Sequence, residues 1–234
     1  MTRVAVLDMA GTTVADDGVV LRAFDMALDQ SLPFATKDDR RRGRRMVRET
    51  MGQSKIDVFR LVLDDEDRAQ AALAAFEQAY LDEVEAGSVG ALPGAVDTMT
   101  VLRDEGWSVC LTTGFPPTIR DALLDRLEWR EVVPLALSPV DAGRGRPYPD
   151  LVLAAFLRLG GDDVADTVVV GDTPSDMACG RRAGAGTRVG VLTGGTPSAD
   201  LLLAGATDVV GSVRDVPTLV AGRRRPFGEP EPYG

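Results

Sequence analysis

The run Val4-Ala5-Val6-Leu7-Asp8-Met9-Ala10-Gly11-Thr12-Thr13 decides how this chain is read. Four consecutive apolar residues predict a short strand buried on both faces, as in a parallel sheet. The strand carries one carboxylate, Asp8, to its carboxyl tip, and a Gly-Thr-Thr turn follows at once. Comparable apolar runs recur at Trp107 to Leu111, Thr167 to Val170, Arg188 to Leu192 and Asp208 to Val210. Helical patterns lie between them, over roughly 94–105, 117–128, 149–159, 174–184 and 197–204. Strands that alternate with helices in this way imply a doubly wound, Rossmann-like α/β fold with a parallel sheet and right-handed crossovers.

One stretch breaks the alternation. Residues 17–88 contain no convincing strand and read as about four helices, with apolar spacing at Val20-Leu21-Phe24-Leu28 and an Ala-rich run from Arg68 to Val84. The division expected is a core of residues 1–16 and 89–222, a helical cap of residues 17–88 inserted after the first strand, and a disordered tail at 223–234, rich in Arg, Pro and Gly. The acids of Leu63-Asp64-Asp65-Glu66-Asp67 read as a loop and helix N-terminus, where negative charge is favourable. Trp107 and Trp129 read as packing.

At 234 residues the chain can bury one core plus a smaller satellite. Its formal charge of −10 argues against a nucleic-acid or membrane-surface partner, so an anionic substrate must meet a local positive field. No apolar run reaches membrane-spanning length, and the N-terminus enters a strand directly, so no signal peptide is expected. Cys110 and Cys179 fall in an apolar strand and a helix, which suits a reducing cytoplasm. There is no histidine, which removes Ser-His-Asp and Cys-His catalysis and every His-ligated metal site. Lysine occurs only at positions 37 and 55. The number of subunits is open, a homodimer included.

Ligands of open α/β sheets sit outside the carboxyl ends of the strands. The polar residues expected there form one set: Asp8 to Thr13, Leu111-Thr112-Thr113-Gly114, Gly145-Arg146-Pro147-Tyr148-Pro149, and Gly171-Asp172-Thr173-Pro174-Ser175-Asp176. A strand-tip carboxylate serves as nucleophile or metal ligand. A hydroxyl, glycine amides and a fixed guanidinium suit phosphoryl oxygens. Two further acids four residues apart give the oxygen-rich site that Mg2+ prefers.

In order and spacing, these four segments resemble the four motifs of the haloacid dehalogenase superfamily, over about residues 3–190. The resemblance implies a Mg2+-dependent hydrolase in which Asp8 attacks phosphorus. The metal would bind Asp8, the Ala10 carbonyl and Asp172, with Asp176 in support. Thr113, Gly114 and Arg146 would hold the transferring group, and Ala10, Gly11, Thr12, Met51 and Gly52 would line the substrate.

Ala10 is the departure that sharpens the reading. Most phosphatases of the superfamily carry an aspartate there, which protonates the leaving alkoxide. Such assistance is worth about 10²–10⁴-fold. A carbon leaving group needs an electron sink instead, which a lysine Schiff base supplies. Asp8 to Val14, Met51-Gly52-Gln53-Ser54-Lys55-Ile56-Asp57 and Gly143 to Pro149 resemble the corresponding motifs of the phosphonoacetaldehyde hydrolase branch, and this puts Lys55 where that branch has its Schiff-base lysine. Val58 replaces the branch's histidine, Phe115 its aromatic hydroxyl, and no cysteine lies near Gly18. Water, Asp57 or Asp17 is left as proton relay. The substrate expected is a small phosphonate, cleaved at its P–C bond. The alternative is a small phosphate monoester with Lys55 as a binding cation, and a non-catalytic phospho-ligand-binding protein is a third reading. Arg40, Arg41, Arg42, Arg44, Arg45 and Arg48 form a basic run, read as a solvated face or as local steering of the anion.

Overall fold

The computed structural model describes residues 2–15, 17–31 and 37–222. In chain order the elements are β1 (Arg3–Asp8), β2 (Val14–Ala15), α1 (Val19–Ser31), α2 (Lys37–Glu49), α3 (Lys55–Leu63), α4 (Glu66–Glu85), β3 (Gly90–Ala91), α5 (Ala95–Asp104), β4 (Trp107–Thr112), α6 (Pro117–Arg126), β5 (Leu135–Leu137), α7 (Pro139–Ala142), α8 (Asp150–Arg158), β6 (Val168–Gly171), α9 (Pro174–Ala183), β7 (Thr187–Val191), α10 (Ser198–Ala204), β8 (Asp208–Val210) and α11 (Val216–Ala221). The expected tail at 223–234 lies outside the described residues.

Six strands form one parallel sheet in the order β5-β4-β1-β6-β7-β8. The chain steps outward from β1 in both directions, so the order reverses beside β1. That reversal opens a crevice at the carboxyl ends of β1, β4 and β6. Register places Asp8 opposite Thr112 on one side and Leu7 opposite Val170 on the other. The apolar run of β1 is buried on both faces with the two-residue period of a strand. Ala5 and Leu7 pack with Val109, Leu111 and the helical insert, while Val4 and Val6 pack with Leu151, Ala155 and Cys179 of α8 and α9. No described helix is long and apolar enough to cross a membrane.

Four helices occupy the stretch after β1. α4 packs on α1 and α3 and reaches the sheet domain at α6. Its N-terminus is capped by Asp65, whose side chain accepts from the Arg68 amide at 2.8 Å, and Glu66 and Asp67 follow in the first turn. The centre of the insert is aromatic: Phe24 lies 4.9 Å from Phe59 and 4.7 Å from Phe76. This cluster does not stop at the insert. Tyr80 stacks 4.7 Å from Phe115, which belongs to the loop after β4.

The short helices α7 and α11 and two strand features escaped the sequence pattern. β5 is three residues long, and β2 with β3 forms a two-residue antiparallel ribbon, Val14 opposite Ala91 and Ala15 opposite Gly90. Both are too short to carry a period. The ribbon matters because it ties together the two connections that lead into and out of the helical insert.

The basic run lies on α2, where its side chains are largely exposed. Arg40 pairs with Asp29, Arg44 with Asp25 at 2.6 Å and Arg45 with Glu49 at 3.8 Å.

Candidate active site

β1 ends in Asp8, and the chain then folds back on itself. The amides of Thr12, Thr13 and Val14 all point at the Met9 carbonyl, and the Thr13 hydroxyl donates to the Asp8 carbonyl at 2.8 Å. Gly11 makes this turn with φ +83°, and a Cβ there would come within 2.6 Å of the Asp172 carboxylate. The position needs glycine for both reasons. Thr12 donates to Asp172 Oδ1 at 3.0 Å, so the first turn also orients the acid that follows β6.

Asp172 leaves β6 and Thr173 caps α9. The Thr173 amide donates to Asp176 Oδ2 at 3.1 Å and the Asp176 amide donates to the Thr173 hydroxyl oxygen at 3.3 Å, closing a capping box, and the Thr173 hydroxyl donates to Asp176 Oδ2 at 2.5 Å. Asp8, Asp172 and Asp176 are all buried, and one carboxylate oxygen from each lies within 4.8 Å of the others.

Arg146 enters this acidic cluster from the loop before α8. Its Nη1 is 2.7 Å from Asp8 Oδ1, its Nε is 2.9 Å from Asp176 Oδ1, and its Nη2 donates to the Thr112 hydroxyl at 2.8 Å. The guanidinium is thus held at once by the tips of β1 and β4 and by the first turn of α9. Nη1 also donates to the Gly52 carbonyl of the helical insert at 3.2 Å.

Burial raises the Asp8 carboxyl to about 6, Arg146 pulling it down and Asp176 pushing it up. Burial, then the charges of Asp8 and Asp176, hold Asp172 well above the usual carboxylate range. Burial pulls Arg146 down, but Asp176 and Asp8 more than offset that and keep it cationic. Three buried carboxylates around one guanidinium leave an excess of negative charge in a low-dielectric site. That excess and the all-oxygen donor set suit a hard divalent cation.

The insert meets the core through the loop before α3. A Cβ on Gly52 would overlap the Thr173 hydroxyl, one on Gly114 the Gln53 carbonyl, and one on Gly145 would come within 2.7 Å of Ser54. The Lys55 amide donates to the Gly114 carbonyl at 3.2 Å. Lys55 opens α3 and is only 5% exposed, its Nζ lying 5.1 Å from the Phe115 ring centre and 5.7 Å from that of Phe24. Val58, one turn on, is buried beside the same aromatic cluster. Thr113 is also buried, and its hydroxyl accepts from the Phe115 amide at 3.1 Å. Of the two acids considered as proton relays, Asp57 is exposed and 3.2 Å from Arg60 Nη1. Asp17 faces a cavity of about 310 Å3 that also touches Ala10, Met51 and Asp172.

Sequence reasoning placed Thr112 and Thr173 in the strand-end segments without giving them a role, and it missed Thr193 and Gly194. The Thr193 hydroxyl donates to the Gly11 carbonyl at 2.5 Å, and a Cβ on Gly194 would overlap the Asp172 carboxylate. The signal was present, since Thr193-Gly194 follows β7 at the same carboxyl edge that singled out the other tips.

A family model for haloacid dehalogenase-like hydrolases matches residues 2–184, and the chain belongs to this family of enzymes. Among curated relatives, "Probable phosphatase IndB" of Dickeya dadantii is 29% identical over 215 residues, covering 90% of this chain and 89% of that one. Phosphonoacetaldehyde hydrolase of Pseudomonas entomophila is 38% identical over 104 residues, which cover 44% of this chain and 38% of that protein. A hydrolase from Pseudomonas syringae (TM-score 0.81, 24% identity, covering 95% of this chain and 99% of that one) shares the fold. So does a phosphonoacetaldehyde hydrolase-like protein from Oleispira antarctica (TM-score 0.77, 24% identity, 94% and 92%). The protein is a haloacid dehalogenase-like hydrolase.

Proposed function

We propose that this enzyme hydrolyses the P–C bond of a small phosphonate bearing a carbonyl next to the leaving carbon. The observation that carries the reading is a pairing: residue 10 offers no acid for an alkoxide, while Lys55 buries its amine at the seam between insert and core.

In this reading residues 17–88 act as a cap on a core of residues 1–16 and 89–222. Asp8, the Ala10 carbonyl, Asp172 and Asp176 would hold Mg2+. Bound there, the ion would neutralise charge on the transferring phosphoryl group. Arg146, Thr113 and Gly114 hold phosphoryl oxygens, and Arg146 also fixes Asp8 in place. The Lys55 amine condenses with the substrate carbonyl, releasing water and forming a protonated imine. Asp8 then attacks phosphorus. The electron pair of the broken P–C bond moves into the imine and leaves as an enamine, so no alkoxide needs a proton. Water cleaves the aspartyl-phosphate, and protonation and hydrolysis of the enamine free Lys55. Contacts of Gly52, Gln53 and Ser54 with the core loops exclude bulk water during these steps. Met51, Gly11 and Thr12 complete the wall around the substrate.

The 29% identity to a protein called a probable phosphatase, over nearly the full chain, favours a second reading. In it the substrate is a phosphate monoester and Lys55 grips it as a cation. Inorganic phosphate release from a panel of 2-oxoalkylphosphonates and matched phosphate monoesters separates the two. The first reading expects turnover of the phosphonates, lost by at least about 10³-fold in Lys55→Ala. A Lys55→Ala enzyme that kept its rate would exclude the covalent role.

A further inference from the structure

The cavity beside Ala10 has a charge pattern opposite to that of a phosphoryl site. It is walled by the apolar groups of Ala10, Met51 and Leu92, and among the described residues its charged groups are Asp17 and Asp172. Among the described residues no Lys or Arg lines it. Thr113, Gly114 and Arg146 do not border it, whereas Ala10 and Asp172, which would hold the metal, do, so it opens beside the proposed metal site on the side away from the guanidinium. At about 310 Å3 it lies at the low end of the ~300–1,000 Å3 range of small-molecule sites. It therefore has room for a tail longer than two carbons.

We propose that this cavity is the subsite for the part of the substrate remote from phosphorus, and that Asp17 sets its specificity. It admits tails carrying an amine or hydroxyl and rejects tails carrying a carboxylate or a second phosphoryl group. This rests on the function proposed above only in seating phosphorus at Asp8, and it holds for either bond cleaved.

Three observations support it. Asp172 belongs to the acidic triad, where a divalent cation would offset its charge, whereas Asp17 stands outside the triad and keeps its own. The nearby cation, Arg22, is already engaged: its Nη1 donates to the Asp17 backbone carbonyl at 2.9 Å and its Nε pairs with Glu83 at 3.2 Å. The polar side chains among the described lining residues, Asp17, Asp172 and Thr193, accept rather than donate. Thr193 spends its hydroxyl proton on the Gly11 carbonyl, which leaves its oxygen lone pairs, and a carboxylate accepts only. A tail with donors is matched, and a tail with a second anion meets a like charge and no donating side chain among the described lining residues.

Asp17 sits at φ +41°, in the left-handed region that asparagine tolerates almost as well as aspartate. Asp17→Asn thus removes the charge and keeps the backbone. Asp17 is exposed, so solvent screens it, and the expected effect is about three- to tenfold. The test is calorimetric binding of two saturated phosphonates to the wild-type enzyme in Mg2+: 3-aminopropylphosphonate and 3-phosphonopropanoate. Neither has a carbonyl beside the P–C bond, so neither can react by the imine route. The amine should bind about tenfold more tightly, Asp17→Asn should narrow that ratio about three- to tenfold, and Asp17→Lys should invert it. An unchanged ratio in both variants, or no binding of either ligand by the folded protein at millimolar concentration, overturns the proposal. Loss of P–C cleavage alone would leave the ratio intact, so the two readings fail separately.

Discussion

Arg146→Lys keeps the charge and removes the fork. The guanidinium reaches Asp8, Asp176 and Thr112 through three different nitrogens, and an ammonium on a flexible stem cannot span all three. kcat/KM for phosphate release should fall about 10²-fold in Arg146→Lys. Arg146→Ala leaves three buried carboxylates with no guanidinium among them and should cost about 3–5 kcal/mol by urea denaturation. Asp8→Asn should remain folded and release phosphate at least about 10³-fold more slowly, since an amide is no nucleophile. Gly194→Ala bears on the metal instead. Its methyl would displace the Asp172 carboxylate, and Mg2+ affinity by calorimetry should weaken about 10–100-fold, as it does when a ligand's supporting shell is disturbed. Unchanged affinity would separate Asp172 from the ion.

At the scale of elements, the seam between insert and core is the most sensitive feature. Gly114→Ala brings a methyl against the Gln53 backbone carbonyl, which cannot swing aside as a side chain would. The loop before α3 must lift, moving Lys55 away from β4. The expected outcome is a loss of about 10²-fold in kcat/KM, read from phosphate release, with the sheet intact by far-UV circular dichroism. The elements themselves were largely legible in the sequence. The strand at Val4 to Leu7 could be read because it is buried on both faces and so continuously apolar. The helices of residues 17–88 could be read because their apolar spacing is long enough to show a period. β5 and the β2–β3 ribbon could not, because two or three residues carry no period at all. The candidate site was legible in its outline from the polar residues that end or follow the strands, as with Asp8, Thr113 and Asp172. Position was legible but role was not where the contribution is a bond to backbone, as with Thr193 on Gly11, or where a residue serves another, as Thr112 serves Arg146 and Thr173 serves Asp176. The absence of a histidine at position 58 is legible, but not its consequence, which is a buried apolar neighbour for Lys55 in place of a proton carrier.

On the scale of the whole molecule, the acidic site opposes folding when no cation is present. Asp8 has a folded-state value of about 6 against an ordinary 3.8, so between these limits the folded protein holds a proton that the unfolded chain has lost. The contribution of Asp8 to the stability of the metal-free protein should therefore fall as pH rises through that window and level off above it, by about 3 kcal/mol. Exposed pairs such as Arg60–Glu66 respond in the opposite sense, so the effect is best isolated as a difference. In EDTA, Asp8→Asn should be more stable than wild type at pH 7, and the gap should close toward pH 4. Mg2+ should reverse the order at pH 7, because only the wild type offers the full carboxylate set. A gap that did not vary with pH would mean that burial does not shift Asp8.

The account depends on a residue of the insert doing chemistry on a group held by the core. Sodium borohydride, added to the enzyme turning over a 2-oxoalkylphosphonate, tests this directly. Irreversible inactivation is predicted, with peptide mass spectrometry placing the reduced adduct on Lys55 and none forming in Lys55→Ala. Full activity after borohydride, with phosphate still released from the phosphonate, would contradict it.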